Sequence, residues 1–226
     1  MKDSSNFRNN ISKLDIDPGY FCKYFKDQIV LNYIEKNNIN SIIDFGCDTA
    51  YIYDILHNRN YDINYTGVDK NLTNNVKNMQ SNEDFKFVHT DDLHNYINNC
   101  YLNYDVWLLL DVIEHMKNEI DGFNLLNSVI DKMQSKSILI ISTPNKINNI
   151  LNWPQYHKYE YNHDQILQFM STKNCLLELF CGWSMSNEIY LSNNFHSYIP
   201  IEIDRVLKAY KNPEISRDVL FIYKKN

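Results

Sequence analysis

The chain carries, at residues 42–50, the stretch Ile42-Ile43-Asp44-Phe45-Gly46-Cys47-Asp48-Thr49-Ala50. Its apolar start predicts a strand over residues 41–45, and a helix is predicted over residues 49–56 after a tight turn. Gly46 lets a ligand approach the backbone of this turn closely, and the helix start offers free N–H groups. The stretch therefore indicates a nucleotide-type binding site, with an ordinary strand–helix turn capped by an Asp as the alternative.

Short β-branched runs alternate with longer amphipathic stretches on either side of this segment. Such alternation is typical of an α/β fold with a mostly parallel sheet. Strands are predicted over residues 41–45, 63–68, 85–88, 106–110, 137–141, 176–180 and 219–223. Helices are predicted over residues 20–35, 49–56, 72–79, 118–133 and 163–171.

The length of 226 residues fits one domain. Residues 1–40 are interpreted as a helical cap, and residues 41–183 as the core that binds the ligand. Residues 184–217 are predicted to be an irregular, aromatic insertion before the last strand.

Composition limits the possible classes of function. The net charge is −6 and the arginines are Arg8, Arg59, Arg205 and Arg217, so the basic stripe of a nucleic-acid binder is missing from the sequence. The five cysteines are scattered and form no CxxC pair, which argues against a disulfide framework. No apolar run approaches membrane-spanning length and the N-terminal residues are polar. A cytoplasmic protein is expected.

Acidic residues follow three predicted strands. Asp69 closes the second strand, where a carboxylate can accept hydrogen bonds from both hydroxyls of a ribose. Asp91 and Asp92 follow the third strand, and either can receive an adenine amino group, although an exposed turn aspartate is an equal alternative. Asp111 follows the fourth strand and opens the run Asp111-Val112-Ile113-Glu114-His115-Met116.

Taken together, these segments resemble class I S-adenosylmethionine (AdoMet)-dependent methyltransferases, over roughly residues 42–183. The segments that carry the resemblance are residues 44–47, 67–69, 91–93, 111–116 and 140–145. The last of these ends in Ser142-Thr143-Pro144-Asn145. Two branches are most similar: ubiquinone-biosynthesis-type O-methyltransferases and small-RNA 3′-end 2′-O-methyltransferases.

The resemblance implies a Rossmann-like, doubly wound sheet of seven strands, mostly parallel, with an antiparallel last strand. It implies AdoMet as cofactor, with Gly46 and its neighbours Asp44, Cys47 and Asp48 at the methionine part. Asp69 then holds the ribose, Asp91 or Asp92 lies by the adenine, and Asp111 lies next to the sulfonium. The chain departs from the family pattern of three glycines, because Asp48 and Ala50 stand at the second and third positions.

The resemblance also implies a divalent metal, Mg²⁺ or Mn²⁺, with Asp111, Glu114, His115 and His157 as its ligands. Carboxylates and imidazoles suit such an ion, which can hold two neighbouring oxygens of a diol or catechol. The alternative is that Glu114 and His115 cap the next helix and that His157 is a loop histidine. Without a metal, His115 or His157 is the natural general base.

Three functions remain open. The first is O-methylation of a small polar acceptor such as a sugar or a phenol, and the second is 2′-O-methylation of an RNA 3′ end. The third is a binding or scaffold protein without activity, which Asp48 and Ala50 motivate. An NAD-dependent dehydrogenase fits residues 111–116 poorly. An aromatic group can line an acceptor pocket or pack in the core; it comprises Trp153, Tyr156, Tyr159, Tyr161, Trp183, Tyr190, Phe195 and Tyr198.

Overall fold

A computed structural model describes residues 18–99, 103–147, 156–193 and 201–226 of the chain. The strands are β1 (Ser41–Phe45), β2 (Asn64–Asp69), β3 (Phe85–His89), β4 (Val106–Leu110), β5 (Ile138–Pro144), β6 (Cys175–Ser184) and β7 (Asp218–Lys225). The helices are α1 (Pro18–Lys36), α2 (Tyr51–Asn58), α3 (Asn74–Met79), α4 (Leu93–Asn99), α5 (Glu119–Lys132), α6 (His163–Ser171), α7 (Asn187–Ser192) and α8 (Ile201–Lys211). None of the helices in these ranges has both the length and the apolar character that crossing a membrane requires.

All seven strands join one sheet in the order β3-β2-β1-β4-β5-β7-β6. The pairs among β1 to β5 are parallel, and β7 runs antiparallel to both β5 and β6. The chain adds strands outward from β1 to β3 and then returns to place β4 on the other side of β1. The order therefore reverses between β1 and β4, and in open α/β sheets ligands bind at the carboxyl ends of the strands at such a point. The expected doubly wound, mostly parallel sheet with an antiparallel last strand is confirmed.

Successive side chains of the central strands point to opposite faces of the sheet, and each face is buried in a hydrophobic core. Ile42 of β1 packs in the cluster that α1, α2 and α3 cover, whereas Ile43 and Phe45 pack in the cluster that α4, α5 and α6 cover. Strands β1 and β4 are apolar almost throughout because both of their faces are buried.

Residues 184–217 differ from the irregular insertion that was predicted. They contain α7 and the 11-residue α8, whose Val206 packs in the core beside α1. The pattern of α8 conceals it, because Asp204 is buried while Ile201 and Leu207 are exposed. Helix α4 was also not predicted; it follows β3 directly and buries Ile97.

Candidate active site

The turn after β1 keeps a glycine-loop backbone without its second and third glycines. Gly46, Asp48 and Ala50 have φ angles of 71°, 47° and 52°, so all three adopt the left-handed conformation that glycine favours. A Cβ at Gly46 would lie 2.9 Å from Cγ2 of Val112, which explains why glycine stands there. Asp tolerates this conformation better than most residues, and Ala50 bears its strain at the start of α2. Asp48 and Ala50 thus adopt the backbone conformation that glycine favours although neither is glycine.

Asp69 ties this loop to the end of β2. Its carboxylate accepts the backbone N–H of Asp48 at 3.0 Å and that of Asn71 at 2.8 Å. The side chain is half-buried and lies at the carboxyl edge of the sheet, beside the switch between β1 and β4. Each carboxylate oxygen has two lone pairs, so both oxygens retain the capacity to accept from a ligand hydroxyl.

The other acidic and thiol side chains predicted for the cofactor differ in exposure. Asp44 is buried and accepts a hydrogen bond from Tyr65, and burial raises its pKa to about 7. Cys47 is also buried, and a Cβ at Gly67 would lie 2.7 Å from its sulfur. These two side chains thus pack beneath the loop, and their contact with the cofactor stays a prediction.

Asp91 and Asp92 are exposed after β3. The Asp92 carboxylate accepts the backbone N–H of Asn95 at 2.9 Å and so stabilises the start of α4. Asp91 lies beside it at the same edge of the sheet, and the predicted contact of either residue with an adenine stays a prediction.

Asp111, directly after β4, is bound on both carboxylate oxygens. Oδ1 accepts from the Ser142 hydroxyl at 2.7 Å, and Oδ2 lies 2.6 Å from Nζ of Lys26 on α1. Its φ of 58° marks a strained backbone, a feature that often accompanies functional sites. Burial works to raise the pKa of Asp111, but the charge of Lys26 outweighs it and the pKa is lowered.

Lys26 is a buried ammonium at this site, with its side chain 3% exposed. Burial works to lower the pKa of Lys26, but Asp111 and Asp27 outweigh it and raise the pKa above its ordinary value. Sequence reasoning missed this residue. The signal was its spacing, because Lys26, Val30 and Ile34 recur every four residues and so share the buried stripe of α1.

A second group, which we call the histidine–glutamate cluster, consists of Glu114, His115 and His157. One ligand atom from each lies within 4.8 Å of the others. Glu114 and His115 belong to a short 3₁₀ turn (Ile113–His115), and His157 comes from the loop before α6. The cap of the following α5 is Asn118, which accepts the N–H of Asp121, so Glu114 and His115 do not cap that helix. Asp111, predicted as a fourth ligand, is not brought into this cluster.

Glu114 is almost fully buried, and its two oxygens are unequal. Oε2 accepts from Thr143 at 3.1 Å, whereas Oε1 has no hydrogen-bond partner among the described residues. Burial, and after it the charge of Asp111, raises the pKa of Glu114 well above its ordinary value. A buried carboxylate oxygen without a partner is costly, so this atom fits a metal ion that would satisfy it.

Both imidazoles are held through Nδ1. His115 Nδ1 lies 3.2 Å from the carbonyl of Tyr156, and His157 Nδ1 lies 2.5 Å from Oε1 of the buried Glu160. Each acceptor favours the tautomer with the proton on Nδ1, which leaves the Nε2 lone pair free to bind a metal. Partial burial lowers the pKa of His115, so that ring is neutral at pH 7. Glu160 and Thr143 were not singled out by the sequence as site residues.

A cavity of about 280 Å³ joins the two groups. Its lining includes Lys26, Asp111, Glu114, His115 and His157. Of the aromatic group, Tyr156 and Trp183 line the cavity, whereas Tyr159, Tyr161 and Tyr190 pack in the core. Trp153, Phe195 and Tyr198 lie outside the described residues.

No protein-family model matches the sequence, and no curated protein matches it. Solved structures do match. An S-adenosylmethionine-dependent methyltransferase from Archaeoglobus fulgidus is 18% identical with a TM-score of 0.59, and the match covers 88% of this chain and 94% of that one. The methyltransferase domain of bacterial CtHen1 is 16% identical with a TM-score of 0.60, covering 90% and 99%. The N-methyltransferase NodS from Bradyrhizobium japonicum, in complex with S-adenosylhomocysteine, is 7% identical with a TM-score of 0.61, covering 94% and 90%.

These three structures are described as methyltransferases, and this chain shares their class I fold. At these identities the likeness establishes the fold alone. The fold that the sequence resemblance implied is thereby confirmed, and the assignment of roles to individual residues stays a prediction.

Proposed function

We propose that the chain is an AdoMet-dependent O-methyltransferase that binds a divalent metal at the histidine–glutamate cluster and methylates a small acceptor with two neighbouring oxygens. The observation that carries the proposal is the cluster itself. A buried Glu114 with an unpartnered oxygen faces two imidazoles whose Nδ1 atoms are already engaged. That donor set suits Mn²⁺ or Mg²⁺.

The cofactor part of the proposal is supported by the turn after β1 and by Asp69. The left-handed residues open the backbone of the turn to close approach, and the carboxylate of Asp69 is available for a ribose. These elements lie at the carboxyl edge of the sheet, as does Asp111, which lines the cavity. A cofactor held there would supply the methyl group, and alignment of donor and acceptor lowers the barrier to methyl transfer.

At the acceptor end, a bound metal would lower the pKa of the attacking hydroxyl. The protein residues orient and shield this site. Glu160 and the Tyr156 carbonyl fix the imidazole rings, Thr143 fixes Glu114, and Trp183 supplies an apolar wall. The Nε2 atoms of His115 and His157 are placed to accept the acceptor proton if the metal is replaced or absent.

The proposal is tested by calorimetric titration of the protein with S-adenosylhomocysteine, with and without Mn²⁺. We expect micromolar binding that Asp69→Asn weakens at least about tenfold, since a ribose contact to a charged acceptor is lost. The matched control is Asp62→Asn, an exposed aspartate just before β2, which should bind as the unmodified protein does. Absence of binding by the unmodified protein in every condition would exclude the catalytic function and favour a scaffold protein.

A second candidate acceptor is the 3′-terminal ribose of RNA. It presents two neighbouring hydroxyls, as a small diol does, and one matched structure is the methyltransferase domain of bacterial CtHen1. The net charge of −6 opposes this candidate. Methyl transfer to a short RNA that falls steeply between 50 and 200 mM salt would favour it, because phosphate contacts weaken with salt.

A further inference from the structure

We propose that Lys26 is a positioning residue that withholds Asp111 from the metal and so leaves the ion with two histidines and one carboxylate as its protein ligands. This inference rests on the proposed function, because it concerns the metal at the histidine–glutamate cluster. It differs from the sequence-based expectation, in which Asp111 was a fourth ligand. Lys26 was not among the predicted site residues, and it reaches the site from α1.

Each carboxylate oxygen of Asp111 already has a hydrogen-bond donor within the protein. Lys26 Nζ lies 2.6 Å from Oδ2, and the Ser142 hydroxyl donates to Oδ1 over 2.7 Å. The Lys26 side chain is buried whereas that of Asp111 is 40% exposed, and a charge-assisted bond of this length is among the stronger hydrogen bonds in proteins. Asp111 also lies outside the group formed by the ligand atoms of Glu114, His115 and His157. To join that group, its carboxylate would have to move away from the buried ammonium with which it pairs, which is unfavourable.

Burial of Lys26 makes the restraint persistent. Its side chain is 3% exposed, and Nζ lies 5.3 Å from the ring centroid of Trp183, so loss of the Asp111 partner would leave a buried charge with less compensation. Asp27, the next residue on α1, is also buried and contributes a second negative charge nearby. The ammonium of Lys26 therefore stays charged and keeps its ion pair with Asp111.

The arrangement has a consequence for the acceptor. Two histidines and one carboxylate leave more coordination positions open than a set with two carboxylates and two histidines would. An acceptor with two neighbouring oxygens can then bind to the ion through both of them. Lys26, which lines the same cavity, also has ammonium protons that Asp111 does not use. The site is thereby suited to an acceptor that chelates the metal.

The test is Mn²⁺ affinity, measured by calorimetry and by electron paramagnetic resonance on the full chain. We expect Lys26→Met to tighten Mn²⁺ binding by about tenfold or more, because Asp111 becomes free to add a charged ligand. In Lys26→Met/Asp111→Asn this gain should vanish. The matched control is Lys23→Met, which removes an exposed lysine from the wall of the same cavity without touching Asp111.

One variant tests the same point without altering Lys26. In the otherwise unmodified chain, Asp111→Asn should weaken Mn²⁺ binding far less than Glu114→Gln does, because only Glu114 is a ligand. This comparison remains informative if Lys26→Met fails to fold, which circular dichroism would reveal.

Two results would overturn the inference while the proposed metal site stands. One is equal Mn²⁺ affinity of Lys26→Met and Lys23→Met, and the other is an Asp111→Asn loss as large as that of Glu114→Gln. Failure of the unmodified protein and of Lys26→Met to bind Mn²⁺ would reject the metal site itself and the inference with it. Binding of S-adenosylhomocysteine in the same samples would show that the cofactor part of the proposed function survives.

Discussion

At the scale of single residues, the candidate site depends on ring orientation. An imidazole binds a metal only if the correct nitrogen carries its lone pair toward the ion, and that is decided by the acceptor at the other nitrogen. His157 has the buried carboxylate of Glu160 as this acceptor, whereas His115 has a backbone carbonyl. The carboxylate is the one of the two that a substitution can change.

We therefore predict that Glu160→Gln weakens Mn²⁺ binding by about tenfold to a hundredfold, as is typical when an outer partner of a metal-bound histidine is changed. The amide keeps the size of the side chain but loses the charge that makes His157 a better donor to the ion. The affinity is measured by Mn²⁺ titration. Asp164→Asn is the control, because Asp164 lies 3.3 Å from a histidine, His163, outside the cavity. Equal affinity of Glu160→Gln and the unmodified protein would contradict the prediction.

At the scale of helices and strands, the site is held by connections that run between distant parts of the chain. One of them fixes α5, which follows the 3₁₀ turn of Glu114 and His115. Lys225 at the end of β7 donates from Nζ to the carbonyls of Ile130 at 2.6 Å and Met133 at 2.5 Å. It thereby satisfies carbonyls that the end of a helix leaves without partners, and its charge suits the negative end of the helix dipole.

Lys225→Met should lower the free energy of unfolding by about 1–2 kcal/mol, the usual contribution of charged hydrogen bonds at a partly buried helix end. Lys224→Met is the matched control, since Lys224 is its neighbour on β7 and no hydrogen bond from its side chain to the described residues is found. Urea denaturation followed by circular dichroism gives both values. The two variants unfolding at the same urea concentration would show that the capping contact contributes nothing.

The helices and strands that could be predicted from the sequence are those that a local pattern determines. The bounds of β1, β4 and α6 were predicted to the residue, because buried strands read as continuous apolar runs and α6 begins with a capping box at Asn162 and Gln165. Helix α8 was not predicted, because it exposes apolar residues and buries an aspartate. Its place depends on contacts with α1 and β6, which no local pattern records.

For the site, the sequence predicted the residues of the histidine–glutamate cluster from one short run and one distant histidine. It could not predict that Asp111 would pair with Lys26, because these residues lie 85 positions apart and no motif encodes how the predicted helix α1 packs against the end of β4. Nor could it predict that Asp44 would be buried beneath the turn by Tyr65. Both outcomes depend on which side chains two packed elements bring together.

At the scale of the whole molecule, buried carboxyl groups near the candidate site make stability depend on pH. Burial raises the pKa of Asp44 to about 7 and that of Asp27 to about 6. For Asp44, the charges of Asp69 and Asp27 act in the same direction, while the Tyr65 hydrogen bond and Lys26 oppose them. The folded protein thus binds protons more tightly at these carboxylates than the unfolded chain does, so their contribution to stability is greatest below about pH 4 and is lost as the pH rises toward 7.

We predict that Asp44→Asn removes part of this dependence. Between pH 5 and pH 7.5, the urea midpoint of the unmodified protein should fall relative to that of Asp44→Asn, in which the amide still accepts from Tyr65 and has no charge to bury. Asp131→Asn, at an exposed position of α5, serves as the control. Parallel pH profiles for the unmodified protein and Asp44→Asn would mean that Asp44 does not titrate in this range.

The turn from Gly46 to Ala50 also bears on how such chains are found. A search pattern written in letters requires glycine at three positions and passes over a sequence with Asp48 and Ala50. A pattern written in backbone angles accepts this chain, since all three positions have positive φ. Aspartate and alanine side chains can thus follow a left-handed backbone path where neighbouring contacts, here that of Asp69 with the Asp48 N–H, hold it in place.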